Sequence, residues 1–310
     1  MVNSVEVEKL SIFSRSTFIH DFTTLCKSMN ASYSQTTIDN ILATFEEHLE
    51  NSAIIFRCTD RPNSVVNFRL FTRHRVDTIA IAAHAGLIKL EDPLAQITTS
   101  WSSLFQGDSK QWCDFNPSNG LAKTWVYFHQ AQPIDKILSL PEIPASVQAH
   151  APVLHSLALE NVVYTAVDYE GRTMNFYFLV PGVLAADQAA RYTNLAGCLP
   201  PTEQELQDMI DSMGPVFVFA VTVEYETGRV TRVAFYAFVV GIQKIPTVNE
   251  RLAEFFSKSP SYDRQRSIVV AWSYGIGNSK YMKGETSYVG ELSAIAEESS
   301  ALWLSKLSSN

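Results

Sequence analysis

Seven basic and amide residues lie within segments whose β-branched and aromatic content predicts strands. They are Arg57, Asn67, Arg69, Lys123, Asn175, Arg232 and Lys283. A single Lys or Arg on a half-exposed strand usually points to solvent, but these seven are spread over every predicted strand pair. If the strands turn them towards a common interior, they form one enclosed cationic pocket. Such a pocket suits a phosphate or a diphosphate.

Aromatic residues accompany the basic ones on the same predicted strands. They are Trp125, Tyr127, Tyr177, Tyr236, Trp272, Tyr274 and Tyr288. Core packing is the default role of such residues, but the π face of a ring also stabilises a nearby cation. Some of them could therefore line a tunnel in which a carbocation forms.

The segment 216–240 shows how the chain could build such an interior. Two β-branched and aromatic runs flank the turn sequence ETGR at 226–229, which predicts a β-hairpin. One face carries Phe217, Phe219, Val221, Val223, Val233, Phe235, Ala237 and Val239. The other carries Val218, Ala220, Thr222, Glu224, Arg232, Ala234, Tyr236 and Phe238. Because neither face suits open water, we expect helices on the first face and a second, partly polar interior on the other.

A helix followed by a strand pair recurs along the chain. The predicted strand pairs are 53–58 with 65–71, 111–115 with 121–128, 161–169 with 173–180, the hairpin 216–240, and 266–276 with 280–288. The predicted helices begin near Ser34, Leu94 and Pro144, and at the capping boxes Thr202/Glu205 and Thr247/Glu250, with a last helix carrying Leu292, Ile295, Leu302, Trp303 and Leu307. This predicts an α+β fold: one domain, 1–310, with a closed ten-stranded antiparallel β-barrel ringed by α-helices in five helix-hairpin repeats, residues 1–33 being the least defined part. A TIM barrel would need strand and helix to alternate singly.

Composition and charge exclude several classes of protein. With 310 residues, 46% of them hydrophobic, the chain has the make-up of a soluble globular protein. A net charge of −8 argues against a nucleic-acid partner. The four cysteines are far apart, which predicts neither a zinc site nor disulfides and fits a reducing, cytoplasmic location. No run of about 20 apolar residues and no signal-peptide pattern occurs, so we expect no membrane partner. We also expect a monomer.

The sequence contains none of three familiar motifs: the hydrolase elbow, the P-loop and the DDxxD run. The segment 271–275 (AWSYG) is close to the hydrolase elbow GxSxG, but all seven histidines lie at or before His155, whereas such hydrolases place the catalytic His after the Ser. The segment 275–280 (GIGNSK) lacks P-loop spacing and reads as a hairpin turn. No DDxxD run and no metal-binding motif is present.

The segment 120–128 (GLAKTWVYF) resembles the CloQ/NphB group of aromatic prenyltransferases. The likeness continues in the same order through 168–178 (DYEGRTMNFYF), 226–232 (ETGRVTR) and 281–284 (YMKG), and covers most of the chain from about residue 35. It implies the ABBA fold, or PT barrel, a ten-stranded antiparallel barrel ringed by helices in five repeats. That is the architecture inferred above from the strand pattern.

The resemblance also implies roles for individual residues. Lys123, Asn175, Arg232 and Lys283 look like the diphosphate ligands of the group, Tyr177 looks like one of its shielding tyrosines, and Trp125 stands where some members have tyrosine. We expect Lys123, Trp125, Tyr177 and Arg232 to be catalytic, and Arg57, Asn67 and Arg69 to join the diphosphate ligands. The acceptor or prenyl pocket is expected to contain Trp125, Tyr164, Val218, Ala220, Tyr236, Trp272 and Tyr288. The sequence departs from the group at Gly171, where some members have a lysine that Arg172 could replace, and at Ala220, where a pocket tyrosine is expected.

The implied chemistry is electrophilic aromatic substitution on an electron-rich phenolic or hydroxynaphthalene-type acceptor. The allylic C–O bond of a prenyl diphosphate ionises, cations hold the leaving group, and the carbocation alkylates the ring. Tyr164 stands where a geranyl-using member has methionine, which favours dimethylallyl over geranyl diphosphate, although Ala220 opens space elsewhere. The sequence identifies no base for the ring proton, so bound diphosphate or water could serve.

We expect no cofactor and no metal requirement. In magnesium-dependent members an aspartate on the second strand holds the ion, and here that position is Asn67. Arg57 and Arg69 would supply the missing positive charge, and we expect an anion between them to offset their desolvation. The alternative from another class is a non-catalytic, lipocalin-like barrel that binds an anionic amphiphile, but such barrels are usually shorter, often secreted and poor in helices.

Overall fold

Ten strands form one closed antiparallel barrel. The computed structural model describes residues 13–104, 109–240 and 245–295. The strands are β1 (Ser52–Thr59), β2 (Asn67–Thr72), β3 (Ser109–Asn116), β4 (Gly120–Pro133), β5 (Asn161–Asp168), β6 (Thr173–Pro181), β7 (Val216–Glu224), β8 (Val230–Val240), β9 (Ser267–Gly275) and β10 (Ser279–Val289). Each strand pairs with its neighbours in sequence, and β1 pairs with β10 to close the barrel. The predicted ten-stranded antiparallel barrel is confirmed.

Helices precede every strand pair along the described chain. They are α1 (Arg15–Ser28), α2 (Gln35–Thr44), α3 (Glu46–Leu49), α4 (Thr78–His84), α5 (Pro93–Ser103), α6 (Ile134–Leu138), α7 (Ala145–Gln148), α8 (Ala151–Ser156), α9 (Ala186–Asn194), α10 (Glu203–Ser212) and α11 (Glu250–Lys258). Within the described residues, no helix is both long and apolar enough to cross a membrane.

The helix ends test the sequence signals directly. The capping box at Thr202 is present, since the Thr202 amide donates to Glu205 Oε2 (2.7 Å) and the Glu205 amide donates to Thr202 Oγ1 (3.2 Å). The box predicted at Thr247 is wrong, because Asn249 caps α11 by accepting from the Leu252 amide. The helix predicted after Pro144 is split into α7 and α8, with a proline in the first turn of α8.

Two further points concern three short helices that the sequence pattern did not predict and one predicted helix that falls mostly outside the described residues. Helices α4, α6 and α9 were not predicted, because segments of five to nine residues give little periodic signal. The predicted C-terminal helix lies largely in 296–310, outside the described residues.

Side chains alternate between two cores along each strand. The outward face of β7 and β8 carries Phe219 and Phe235, which pack against Tyr192 of α9. The inward face carries Ala220 and Ala234, which belong to a separate cluster inside the barrel. These are the two faces predicted from the hairpin sequence, and a register slip of one residue would exchange them.

Two glycines are required by close approaches between the barrel and its helices. Gly228, in the β7–β8 turn, has φ +72°, and a Cβ there would lie 2.6 Å from Ser146 Cβ. A Cβ on Gly284 of β10 would lie 2.6 Å from the ring of Phe256 in α11. The glycine beside Lys283 therefore lets a helix pack directly on the strand that carries this lysine.

Candidate active site

Strand register brings the predicted basic and amide residues into one belt around the barrel interior. Arg57 is opposite Asn67, Asp114 is opposite both Arg69 and Lys123, and Thr222 is opposite both Asn175 and Arg232. We call the set the polar belt: Arg57, Asn67, Arg69, Asp114, Lys123, Asp168, Asn175, Thr222, Arg232, Lys283 and Glu285. These residues converge because side chains alternate between the two faces of a strand. Residues of one strand that are separated by an even number of positions therefore point to the same side, here the barrel interior.

Arg69 is held by two carboxylates. Its guanidinium contacts both oxygens of Asp114, and its Nη1 and Nη2 donate to Glu285 at 3.1 and 3.2 Å. Arg57 donates to Asp114 Oδ2 at 2.8 Å. Burial opposes ionisation of Asp114, but the two guanidiniums hold the pKa of its carboxyl below the ordinary value. The expectation that Arg57 and Arg69 rely on a bound anion is therefore wrong, because the protein supplies their counter-charges.

Lys123 also has an internal partner. Its Nζ lies 2.7 Å from Asp168 Oδ2, and the Gly171 amide donates to the other oxygen of Asp168 at 2.7 Å. Although burial opposes it, this environment lowers the pKa of Asp168 to about 2. The buried Lys123 and the partly exposed Asp168 thus form an ion pair at one side of the belt.

Arg232 and Lys283 make no ion pair with any described carboxylate. Arg232 donates to Tyr281 Oη (2.8 Å), Thr222 Oγ1 (3.0 Å) and Asn175 Oδ1 (3.4 Å), all neutral acceptors, and its buried Nε has no partner within the described part of the chain. Lys283 Nζ donates to Tyr236 Oη at 3.2 Å. The belt contains five basic side chains and three carboxylates, so it carries two positive charges in excess when Lys283 is protonated. An anion of high charge is the ligand that this excess favours.

An apolar cavity of about 380 Å³ adjoins the belt. Trp112, Trp125, Tyr164, Tyr177 and Tyr236 line it, and Arg69 and Glu285 form its polar end. Trp125 and Tyr177 lie with ring centroids 4.7 Å apart, and Tyr177 and Tyr236 lie 5.7 Å apart. Trp125 is fixed by a hydrogen bond from its Nε1 to Asp114 Oδ1 (3.0 Å) and by Arg69, whose Cζ lies 4.2 Å from its ring centre. A group held by the belt would therefore face rigid aromatic surfaces.

Comparisons with known proteins agree with this arrangement. The family model for aromatic prenyltransferase Orf2 matches residues 13–298. The chain belongs to this family. An aromatic prenyltransferase of Arthroderma otae is 44% identical over 274 residues, which cover 88% of this chain and 87% of the relative. The 4-hydroxyphenylpyruvate 3-dimethylallyltransferase of Streptomyces niveus is 34% identical, with 91% and 87% of the two chains covered.

The solved structures show the same architecture at low sequence identity. The structure of NotF in complex with brevianamide F and DMSPP is 10% identical, with a TM-score of 0.51 over 92% of this chain and 97% of NotF. This likeness concerns the fold alone. With the family established by sequence, the protein is an aromatic prenyltransferase, a transferase of prenyl groups.

Most residues predicted for the pocket of this prenyltransferase lie inside the barrel. Trp125, Tyr164, Tyr177, Val218 and Tyr236 line the cavity. Ala220 belongs to the same inner cluster. Their roles in prenyl transfer stay predictions.

Two pocket predictions are wrong, because both side chains point out of the barrel. Trp272 lies between Ala271 and Ser273, which face inward, so it joins the outer core opposite Phe235. Tyr288 packs against Phe56 in the outer core and donates to Asp21 Oδ2 at 3.1 Å. In both cases the period of two along the strand decides the direction.

Arg172 does not replace the lysine expected at Gly171. Its Nη1 binds both carboxylate oxygens of Asp92, at 2.9 and 2.7 Å, and Asp92 is the N-cap of α5 outside the barrel. The polar belt therefore has no basic group at this turn among the described residues.

Sequence reasoning missed the two acidic residues that organise the belt. Asp114 lies two positions after the cavity residue Trp112, and Glu285 lies two positions after Lys283. Strand parity alone places both on the inward face. The signal that could have found them is the inward-facing arginine itself, because a buried arginine requires a carboxylate partner.

The donor set of the belt does not fit a magnesium centre. Asn67, at the position of the metal-binding aspartate, brings a buried Oδ1 that has no partner among the residues the structure describes, but it carries no charge. The neighbouring carboxylate of Asp114 is occupied by Arg57, Arg69 and Trp125. Among the described residues, no three His, Cys, Asp or Glu side chains converge.

Proposed function

We propose that this enzyme transfers a dimethylallyl group from dimethylallyl diphosphate to an electron-rich phenolic ring, without a metal ion. The observation that carries the proposal is the junction between a belt with excess positive charge and an apolar, aromatic-walled cavity. A prenyl diphosphate has the same two parts, an anionic head and an apolar tail.

The belt acts on the leaving group. As the allylic C–O bond breaks, both electrons stay on the diphosphate oxygen, and the developing charge is met by Arg232 and Lys283, the two cations of the belt that pair with no described carboxylate. Arg57, Arg69 and Lys123 contribute less each, because Asp114, Glu285 and Asp168 already neutralise them. The belt is preorganised, since its side chains hold one another in place before the donor arrives.

The cavity acts on the carbocation and the acceptor. The faces of Trp125 and Tyr177 stabilise the dimethylallyl cation and keep water from it. The aromatic acceptor enters the same cavity and attacks the cation with a ring carbon. A new C–C bond forms, and the ring then loses a proton to recover aromaticity.

The size of the cavity favours the five-carbon donor. At about 380 Å³ it is at the small end of ligand cavities, and both substrates must share it. Tyr164 is surrounded by Trp112, Tyr127 and Tyr177, at centroid distances of 5.5, 5.3 and 6.2 Å, so its ring has little freedom to withdraw. The Streptomyces niveus relative, named for dimethylallyl transfer to 4-hydroxyphenylpyruvate, supports the same donor and a phenolic acceptor.

A product assay tests the proposal. The full chain is incubated with dimethylallyl or geranyl diphosphate and a panel of phenols that includes 4-hydroxyphenylpyruvate and dihydroxynaphthalenes, with added magnesium or with excess EDTA. We expect a C-prenylated phenol from dimethylallyl diphosphate, at equal rates with EDTA and with magnesium. If none of the acceptors gives a product, the protein is a binding barrel and not an enzyme of this kind. Equal turnover of the ten-carbon donor would refute the donor assignment. Strict dependence of turnover on magnesium would refute the metal-free mechanism.

A further inference from the structure

Lys283 differs from Lys123, the other lysine of the polar belt, in its hydrogen-bond partner. It lies on β10 between Thr59 of β1 and Ala271 of β9, the residue is 9% exposed, and its Nζ donates to Tyr236 Oη. Lys123, the other lysine of the belt, has Asp168 as a counter-ion. Among the described residues, Lys283 has only a neutral phenol as a hydrogen-bond partner.

The charges around Lys283 are mostly positive. Arg57 of β1, Lys123 of β4 and Arg232 of β8 face it, together with the phenols Tyr236 and Tyr281. Glu285 of β10 is the carboxylate that faces it, but both oxygens of Glu285 already accept from Arg69. The positive field of the belt is therefore only partly offset at Nζ.

A lysine responds to such a field in a way that arginine does not. A buried ammonium can lose its proton, whereas a guanidinium stays charged. Burial first, and then Arg232, Lys123 and Arg57, lower the pKa of Lys283 well below its ordinary value, against a smaller opposing effect of Glu285. A trianionic diphosphate beside Nζ would reverse this balance, because it favours the charged form.

We infer that Lys283 is the proton carrier of this site: it gains a proton when the prenyl diphosphate binds, and it gives that proton to the diphosphate as the allylic bond breaks. The inference rests on the proposed function and adds a general acid to it. In the acid step an N–H bond of the ammonium breaks, its electron pair stays on Nζ, and the proton binds an oxygen of the departing diphosphate. Protonation makes the diphosphate a weaker nucleophile and so hinders recapture of the cation.

The carrier is restored by the last step of the reaction. The neutral amine lies 3.2 Å from Tyr236 Oη, and Tyr236 lines the cavity in which the ring is alkylated. The ring carbon loses its proton to the Tyr236 oxygen while the phenolic proton of Tyr236 passes to Nζ. Departure of the protonated diphosphate then allows Lys283 to release its proton to solvent.

Calorimetry on the full chain tests the first half of the inference. The probe is dimethylallyl thiolodiphosphate, whose C–S bond resists ionisation, titrated at pH about 8, where its phosphates are fully ionised because their second pKa is about 6. The binding enthalpy is measured in buffers of different ionisation enthalpy, and the slope counts the protons taken up. We expect an uptake approaching one proton per ligand for the wild type.

Matched variants identify the group that takes up the proton. Lys283→Arg keeps a cation that cannot titrate, and should bind the probe with uptake close to zero. Lys123→Arg, at the ion-paired lysine, should retain the wild-type uptake. Should the larger side chain at 283 prevent folding, Lys283→Met supplies the same test and should bind more weakly, also without uptake. Uptake near zero in the wild type, or unchanged uptake in Lys283→Arg, would overturn the inference, whereas absence of any binding would overturn the proposed donor site.

Turnover tests the acid step. With dimethylallyl diphosphate and the best phenol of the panel, Lys283→Arg should lower kcat on the order of 10²-fold while changing the donor KM only a few-fold, since its charge still binds the diphosphate. The alkaline limb of the wild-type pH profile should be absent in this variant. An undiminished kcat in Lys283→Arg would show that Lys283 only binds the diphosphate.

Discussion

Replacing Arg69 by methionine separates the structural role of the belt from its catalytic role. The change removes four hydrogen bonds to two buried carboxylates and leaves a side chain of similar length. Asp114 keeps Arg57 and Trp125 as donors, but Glu285 loses the hydrogen bonds it makes within the described residues. Because Glu285 is 5% exposed, its charge would remain buried without compensation.

The size of the effect follows from that uncompensated charge. Removing one partner of a buried ion pair typically lowers the free energy of unfolding by about 3–5 kcal/mol, a large part of the about 5–15 kcal/mol that stabilises an ordinary protein. Turnover should fall on the order of 10²-fold or more, because Arg69 also holds the face of Trp125 at the end of the cavity.

A second variant shows which part of the loss is structural. In Arg69→Met/Glu285→Gln the neutral amide no longer needs a counter-ion, so about 1–3 kcal/mol of the free energy of unfolding should return. The catalytic loss should remain, because the guanidinium is still absent. Urea unfolding gives the stabilities, and kcat/KM at saturating acceptor gives the activities. A single variant as stable as the wild type, or a double variant less stable than the single one, would refute this account of the belt.

Three further expectations follow from the site. Tyr164→Met enlarges the cavity and should raise the ratio of kcat/KM for geranyl over dimethylallyl diphosphate about 10-fold or more, and an unchanged ratio would show that Tyr164 does not limit chain length. Arg232→Ala should reduce turnover on the order of 10²-fold or more, whereas Arg229→Ala, on the exposed turn of the same hairpin, should not, and equal activities would remove Arg232 from the machinery. Burial opposes but Lys123 lowers the pKa of Asp168 from 3.8 to about 2, so this pair stabilises the fold fully above pH about 5 and loses on the order of 2 kcal/mol as the pH falls towards 2. The stability gap between the wild type and Asp168→Asn should therefore shrink over that range, and a constant gap in acid unfolding curves would contradict the ion pair.

Sequence alone determined the barrel and much of the belt. Alternation along the hairpin 216–240 required two different surroundings for its two faces, and the structure has helices outside and a polar interior within. Arg57, Arg69, Lys123, Arg232 and Lys283 could be placed together because strand parity is a local property, readable without knowledge of the partner strand. The capping box at Thr202 was equally local, since its two hydrogen bonds join residues three apart.

Tertiary structure decided the charge balance and the walls of the cavity. Arg69 is 45 positions from Asp114 and 216 from Glu285, and only closure of the barrel through β1 and β10 brings the three together. Trp272 and Tyr288 were predicted on the wrong side of the barrel wall. Both faces of their strands are buried, so an aromatic residue suits either face and its identity does not show which core it enters. The excess of charge left on Arg232 and Lys283 is likewise invisible in the sequence, since it depends on which carboxylates the fold brings to the other cations.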